Sequence, residues 1–374
     1  MKIIYSINST SNSGGMERIL MNKANYLADV LNYDVSIVTT EQRGQKHFFP
    51  FSNKIKFYDL GINYDEDKDR NIIYRLIKKQ FKKKIHEQKL TALLYKEKPD
   101  ICISMFDRDF DFLYKIKDGS KKILEYHFSK YIKVIEAKNP LMKWVQKRRT
   151  ERWTTVIRNY HRFVVLTDED KLQWGNLDNI CVIPNFIPHI SAEKSSCTSR
   201  RVISAGRASF QKGFDLLIDA WKLVTEKFPE WELYIFGNGD KHELEKQIQS
   251  KNIASIKLMP AISEIEKEYL RSSIYVMSSR YEGLPMVLIE AMACGLPLVS
   301  FACPCGPMDV IKDSFGSLVP NGDTKALAAA LMKWMENEDM RKQGGKCAYE
   351  ASKQYSQETV MKKWIDLFES VIKE

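Results

Sequence analysis

Residues 274–301 read IYVMSSRYEGLPMVLIEAMACGLPLVSF. Ile274–Met277 is a short apolar run, Pro285–Ala293 a helical stretch opened by Gly283 and Pro285, and Pro297–Phe301 a second apolar run. Strands that are apolar throughout are buried on both faces, so this succession predicts a parallel βαβ unit. The same alternation extends outward. On the N-terminal side of this stretch lie strands at Arg201–Ala205, Glu232–Phe236 and Ile256–Leu258, with a helix over Phe214–Phe228. Beyond it, helical periodicity returns in Lys325–Asn337 and Gln357–Ile372. The first half repeats the scheme with strands at Lys2–Ile7, Val35–Thr39, Ile101–Met105, Lys122–Glu125 and Phe163–Leu166, and a crossover helix over Gly15–Leu31. The fold class is therefore α/β, with two doubly wound, Rossmann-like domains facing each other across a cleft. The small, polar stretch SAEKSSCTSR separates them, giving an N-terminal domain over 1–190, a linker over 191–200 and a C-terminal domain over 201–355.

The chain has 374 residues, 44% hydrophobic and 28% charged, enough for two cores of ordinary size. Its 7 Cys show no C-x-x-C spacing, which argues against a zinc site and against a disulfide framework, and for a reducing compartment. The opening MKIIYSINST has no basic start followed by a long apolar core, so no signal peptide is expected. No apolar run is long enough to span a bilayer.

Charge is distributed unevenly. Residues 1–190 hold 34 of the 58 Lys and Arg but 23 of the 48 Asp and Glu, so the +10 net charge belongs to the first half. Residues 71–89 and 143–162 each carry seven basic groups against one acid. In the first of these, Ile73, Ile77, Phe81 and Ile85 recur every fourth position, which makes one helix face apolar and the other basic. Such a helix either docks its stripe on its own domain or lies in an anionic lipid interface, with Tyr74 and Trp144 near the boundary. Nucleic acid is not an expected partner, because no helix-turn-helix, finger or aromatic strand motif accompanies the charge.

The chemistry is concentrated in the second half. Glu282 follows a strand in a loop loosened by Gly283 and Pro285, and Glu290 stands on the helix that this loop opens. The spacing puts one carboxylate at the helix mouth and the other about two turns along on the same side. The free amides of the first turn, at Gly283, Leu284, Pro285, Met286 and Val287, make a mouth that suits a phosphate, Pro285 adding shape but no donor. The bland alternative for Glu290 is a salt bridge, since an unpartnered carboxylate on an apolar helix is costly.

EGLPMVLIE followed by AMACGLPLVS resembles the donor-site signature of family-4 retaining glycosyltransferases of the GT-B fold, most closely those that build bacterial capsule and O-antigen. The resemblance covers nearly the whole chain. It implies that the C-terminal helix, residues 356–374, returns to the N-terminal domain. In SAGRASFQKGFDLLIDAW it implies that Arg207 and Lys212 hold the donor diphosphate, where two fixed cations would offset the charge of a departing nucleoside diphosphate. Gly237 in YIFGNGD matches the family's next glycine turn, and Leu258 and Met259 fall where family members seat the base. Glu282 would meet sugar hydroxyls and Glu290 a ribose diol.

On the N-terminal side, Gly14 and Gly15 match the family's glycine pair that lies against the donor phosphates, and Glu17 and Arg18 follow as in GGxER. His127, in ILEYHFSK, matches the position where a His approaches the donor sugar. Asp107 and Asp109 form a D-x-D behind a strand, a pattern that ligates divalent metal in other sugar transferases. Here they are expected to wall the acceptor site, with no metal and no cofactor beyond a UDP-sugar donor. The expected partners are a UDP-sugar, a glycan or polyprenyl-diphosphate-linked acceptor and an anionic membrane surface, in the cytoplasm at the inner face of the membrane. The alternatives from other classes are a non-catalytic nucleotide-sugar-binding subunit and a phosphorylase or epimerase of the same fold.

Overall fold

The computed structural model describes every residue except Lys68 and Lys138, and every other side chain but those of Asp67 and Ile72. The chain forms two units: residues 1–165, 174–183 and 361–374, and residues 166–173 and 184–360.

The first unit is built on a seven-stranded sheet of β1 (Lys2–Ile7), β2 (Asp34–Thr39), β3 (Lys56–Asp59), β4 (Ile101–Ser104), β5 (Lys121–Glu125), β6 (Arg162–Val165) and β7 (Ile180–Val182). Their order is β3-β2-β1-β4-β5-β6-β7, all pairs parallel. The second unit has β8 (Arg201–Ala205), β9 (Glu232–Phe236), β10 (Ile256–Met259), β11 (Ile274–Met277), β12 (Leu298–Phe301) and β13 (Gly316–Val319), ordered β10-β9-β8-β11-β12-β13 and again parallel. Each sheet grows outward from its first strand and then resumes on that strand's other side. The loops leaving β1 and β4, and those leaving β8 and β11, therefore diverge and open a crevice at the carboxyl ends of the strands. These are two Rossmann-like sheets.

Burial explains why the strands are apolar. All four residues of β4, β11 and β12 are buried, because helices cover both faces. The helix Phe214–Thr225 buries Leu217, Ile218, Trp221 and Val224 on one stripe, and the Trp221 indole N–H donates to Ser255 Oγ at 3.0 Å. Full burial of side chains of this size contributes about 1.5–3 kcal/mol each.

Most elements lie within one to three residues of their expected positions. The expected helix Gly15–Leu31 is α-helical over Gly15–Asn25 and closes with a wider turn over Tyr26–Val30. The edge strand β3 has no apolar run to announce it, since its burial is only partial. The C-terminal helix Gln357–Lys373 returns its Met361–Lys373 part to the first unit, where Trp364, Phe368 and Val371 are buried. In the second unit, Asp309 accepts from the backbone N–H groups of Asp168 and Glu169 at 3.1 and 3.2 Å, fixing residues 166–173 there.

Candidate active site

In the second unit, the loop after β8 runs through Gly206, Arg207 and Ala208 beside the turn Gly237–Gly239 after β9. Ala208 N donates to Asn238 O at 2.7 Å and Gly237 N to Met259 O at 3.1 Å, so the ends of β8, β9 and β10 are laced together. A Cβ on Gly237 would lie 1.7 Å from Gly206 O, a collision with backbone that no side chain avoids. Arg207 is exposed and has no carboxylate partner among the described residues.

Lys212 and Glu282 meet across the β8–β11 crevice. Lys212 Nζ donates to Glu282 Oε1 at 2.7 Å, and Gln211 Nε2 reaches Glu282 Oε2 at 3.3 Å and Tyr281 O at 3.1 Å. The Glu282 backbone is clamped separately, its N–H donating to Pro304 O at 2.8 Å and its carbonyl accepting from Cys305 N at 3.0 Å. Arg280 braces the Lys212 loop through Asp215, at 2.9 and 2.6 Å, and through Phe210 O at 2.8 Å. The helix Met286–Ala293 starts next to Glu282, and Pro285 at its head supplies no side-chain cap. Its first amides are left to an anion, as a helix N-terminus favours. Leu284 is buried, while Gly283, Met286 and Val287 are half-buried.

Glu290 is half-buried on that helix. The buried Tyr275 phenol is raised well above its ordinary pKa by burial first, and then by the charges of Glu290 and Glu282, which places both carboxylates near the end of β8. Gly306 begins the helical turn after β12; its N–H donates to Glu169 Oε2 at 3.0 Å, and a Cβ there would lie 2.7 Å from Gly283 O. Cys303 and Cys305 are both buried, and burial pushes the Cys303 thiol far up, so it is inert packing. Leu258 and Met259 end β10 half-buried.

In the first unit, Gly14 heads the helix Gly15–Asn25, and the buried Glu17 carboxylate folds back beside it, within 3.3 Å of Asn12 Nδ2. His127 follows β5, its Nε2 3.0 Å from Glu125 Oε1, and Glu125 also takes the fully buried Lys23 ammonium at 2.5 and 2.6 Å. Burial alone would raise the Glu125 carboxyl, but Lys23 and His127 outweigh it and hold it at about 2. Lys23 sits 3.9 Å from the Trp364 ring, a cation–π contact with the C-terminal helix.

The D-x-D pair needs a correction. Asp109 is completely buried and accepts from Ser104 Oγ at 2.6 Å, and burial, followed by the charge of Asp107, pushes its carboxyl up to about 7. A group with no exposed surface cannot wall an acceptor site; it is a structural anchor of the loop after β4. Asp107 is half-buried and is pushed up to about 6, again chiefly by burial. Among the described residues no group of three or more His, Cys, Asp or Glu converges as a metal site would.

Comparison with known proteins bears on the second unit first: residues 189–351 match the family model "Glycosyl transferases group 1". An uncharacterized glycosyltransferase of Haemophilus influenzae is 28% identical over 371 residues, which is 97% of this chain and 98% of that one. The second unit is thus similar to group 1 glycosyltransferases. The chain is also 26% identical, over 99% of both chains, to a Campylobacter jejuni alpha-1,4-N-acetyl-D-galactosaminyltransferase named for a diNAcBac-PP-undecaprenol-linked acceptor. A crystal structure of a Staphylococcus aureus TarM variant with fondaparinux, alpha-GlcNAc-glycerol and UDP matches the fold, with TM-score 0.77, 17% identity, and 98% of this chain and 99% of that one covered.

The second unit thus brings Lys212, Glu282, Gly283 and the head of the Met286–Ala293 helix together at the β8–β11 crevice. Its sequence reading overlooked Gln211, Asp215 and Arg280, the groups that hold this constellation. Their only signal was adjacency, Gln211 beside Lys212 and Arg280 two residues before Glu282. It also overlooked Lys23 as the partner of Glu125, because the pairing joins β5 to a helix about a hundred residues earlier in the chain.

Proposed function

We propose that the chain is a transferase that moves a hexose or N-acetylhexosamine from a UDP-sugar to a hydroxyl of a growing glycan, with retention of anomeric configuration. The acceptor is read as lipid-linked, on a polyprenyl diphosphate, in the assembly of a bacterial surface polysaccharide such as capsule or O-antigen. The undecaprenol-linked acceptor named for the Campylobacter relative supports this reading, as does the UDP in the TarM complex.

The observation that carries the donor side is the Lys212–Glu282 pair beside an uncapped helix head, with Arg207 exposed nearby. Arg207, Lys212 and the first-turn amides would hold the diphosphate, with Gly237, Leu258 and Met259 seating the nucleoside. Glu290 would take the ribose diol. In the reaction the anomeric C–O bond to the β-phosphate breaks on the same face on which the acceptor oxygen adds, through an oxocarbenium-like state. The departing phosphate oxygen takes the acceptor proton, and Arg207 and Lys212 offset the charge that develops on it. Glu282 orients the sugar through its hydroxyls.

The test is a panel of UDP-sugars with initial-rate measurement of UDP release, with and without a short glycan acceptor. Acceptor-dependent release from one donor supports the proposal. UDP binding without release on any acceptor would make the chain a non-catalytic nucleotide-sugar-binding subunit, and a requirement for inorganic phosphate would make it a phosphorylase.

A further inference from the structure

Two helices of the first unit leave apolar side chains facing outward. On the helix Ile72–Glu97 the stripe Ile73, Leu76, Ile77 and Phe81 recurs at helical spacing, yet Ile73 is 68% and Ile77 66% exposed. The opposite face does the packing: Lys82, His86, Leu90 and Leu94 are the buried residues of this helix. Ile85, the next residue at this spacing, packs against the core of the first unit, so the stripe docks at that end while Ile73, Ile77 and Phe81 are left outward. On the helix Pro140–Ile157 the first turns do the same, with Leu141 70% and Trp144 58% exposed. Unpartnered apolar side chains on two helices of one unit are costly in water and call for a cover.

Charge says what the cover is. Helical periodicity puts Lys78 on one flank of the stripe and Lys79 and Lys83 on the other, while Lys143, Lys147 and Arg148 intersperse the second apolar segment. Lys79 is held below the ordinary lysine range by desolvation first and then by Arg108 and Arg149, which outweigh the opposing charge of Asp111. Lys83 pairs with Asp111 at 2.5 Å and Arg108 with Asp65 at 3.5 Å, but neither Lys79 nor Arg149 has a carboxylate partner among the described residues. Cations in excess of their counter-ions favour a further anion beside them. No helix among the described residues is long and apolar enough to cross a membrane, so insertion would be interfacial.

We propose that these two helices dock together on an anionic lipid surface, the Ile73–Phe81 stripe and Trp144 entering the acyl boundary and Lys79 with Arg149 taking a lipid phosphate. As the account of where the enzyme meets its substrate, this rests on the reading of a lipid-linked acceptor. A polyanionic glycan would use the cations but leaves the isoleucines, phenylalanine and tryptophan uncovered, which is why a bilayer is the better fit.

The experiment is sedimentation of the full chain with vesicles of phosphatidylcholine alone or mixed with phosphatidylglycerol. The variants are I73S/I77S/W144S and K79Q/R149Q, each confirmed as folded by its thermal melt. The expected result is strong preference for the anionic vesicles, about 25-fold weaker binding for the double variant at roughly 5-fold per cation, and at least ~10-fold weaker binding for the triple variant even in high salt. Transfer to a short soluble glycan stays unchanged in both. Equal binding to both vesicle types, or binding by the variants equal to the parent's, overturns the proposal. So does a parent dimer that the triple variant dissociates, which would make a second copy the cover, or tighter binding of soluble polyphosphate that ignores the apolar substitutions. Vesicle binding as expected, with no transfer to any glycan, would support the docking surface and remove the acceptor reading instead.

Discussion

Glu282→Gln separates the two tasks assigned to the β8–β11 crevice. In the resting protein Glu282 holds Lys212 at 2.7 Å, and the two side chains are only 18% and 9% exposed. At an effective dielectric near 20, unit charges at that distance attract by about 6 kcal/mol, most of which desolvation offsets. The amide keeps the shape of the carboxylate, and the backbone clamp of residue 282 to Pro304 and Cys305 does not involve the side chain. What changes is that the ammonium loses its counter-charge and the diphosphate loses a nearby repulsion. UDP should then bind about 10-fold more tightly, a gain of about 1.4 kcal/mol. Turnover should fall at least ~100-fold, because a charged contact to the sugar is lost where the transition state forms. Calorimetric titration with UDP and initial rates on the active UDP-sugar read the two quantities independently. UDP affinity that falls as steeply as in Lys212→Ala, or turnover within a few-fold of the parent, refutes the division of labour.

The Lys23–Glu125 pair is fully buried, so Lys23→Met should cost about 3–5 kcal/mol in urea denaturation by stranding the carboxylate. Lys23→Met with Glu125→Gln should recover at least ~2 kcal/mol of that, and a double variant no more stable than the single one contradicts the pairing. Because the Glu125 carboxyl sits at about 2 instead of its ordinary 4.5, its contribution is present above pH ~4.5 and fades as pH falls towards 2. Asp109 has the opposite sign. Its folded pKa of about 7 against an ordinary 3.8 means that stability is lost as pH rises from about 4 through 7. Asp109→Asn should therefore match the parent near pH 4 and exceed it by up to about 4 kcal/mol at pH 8. An advantage that is flat with pH would show that Asp109 is ionised throughout.

How far the sequence could be read depended on whether a feature was local. The strands β4, β11 and β12 are buried on both faces and announce themselves as apolar runs, whereas β3, half-exposed at an edge, carries no pattern. Lys212, Glu282 and the helix head are legible because one strand-loop-helix motif contains each. Arg280 with Asp215, and Lys23 with Glu125, are not, since their partners lie 65 and 102 residues apart and meet only through the sheet order. Asp109 was misread because D-x-D spacing says nothing about burial. The basic helix was ambiguous for a related reason: periodicity identifies a stripe but not which way it faces, and here Ile73, Ile77 and Phe81 face outward while Ile85 packs inward.

Arg207 and Lys212 are the groups proposed to hold a nucleoside diphosphate at the β8–β11 crevice. Calorimetric titration of UDP into the parent, Arg207→Ala and Lys212→Ala tests this most directly. The account predicts saturable one-to-one binding to the parent and at least ~10-fold weaker binding in each variant, on the scale of losing a charge-assisted contact of roughly 1.5–3 kcal/mol. Undiminished UDP affinity in both variants, with their thermal melts intact, would contradict it.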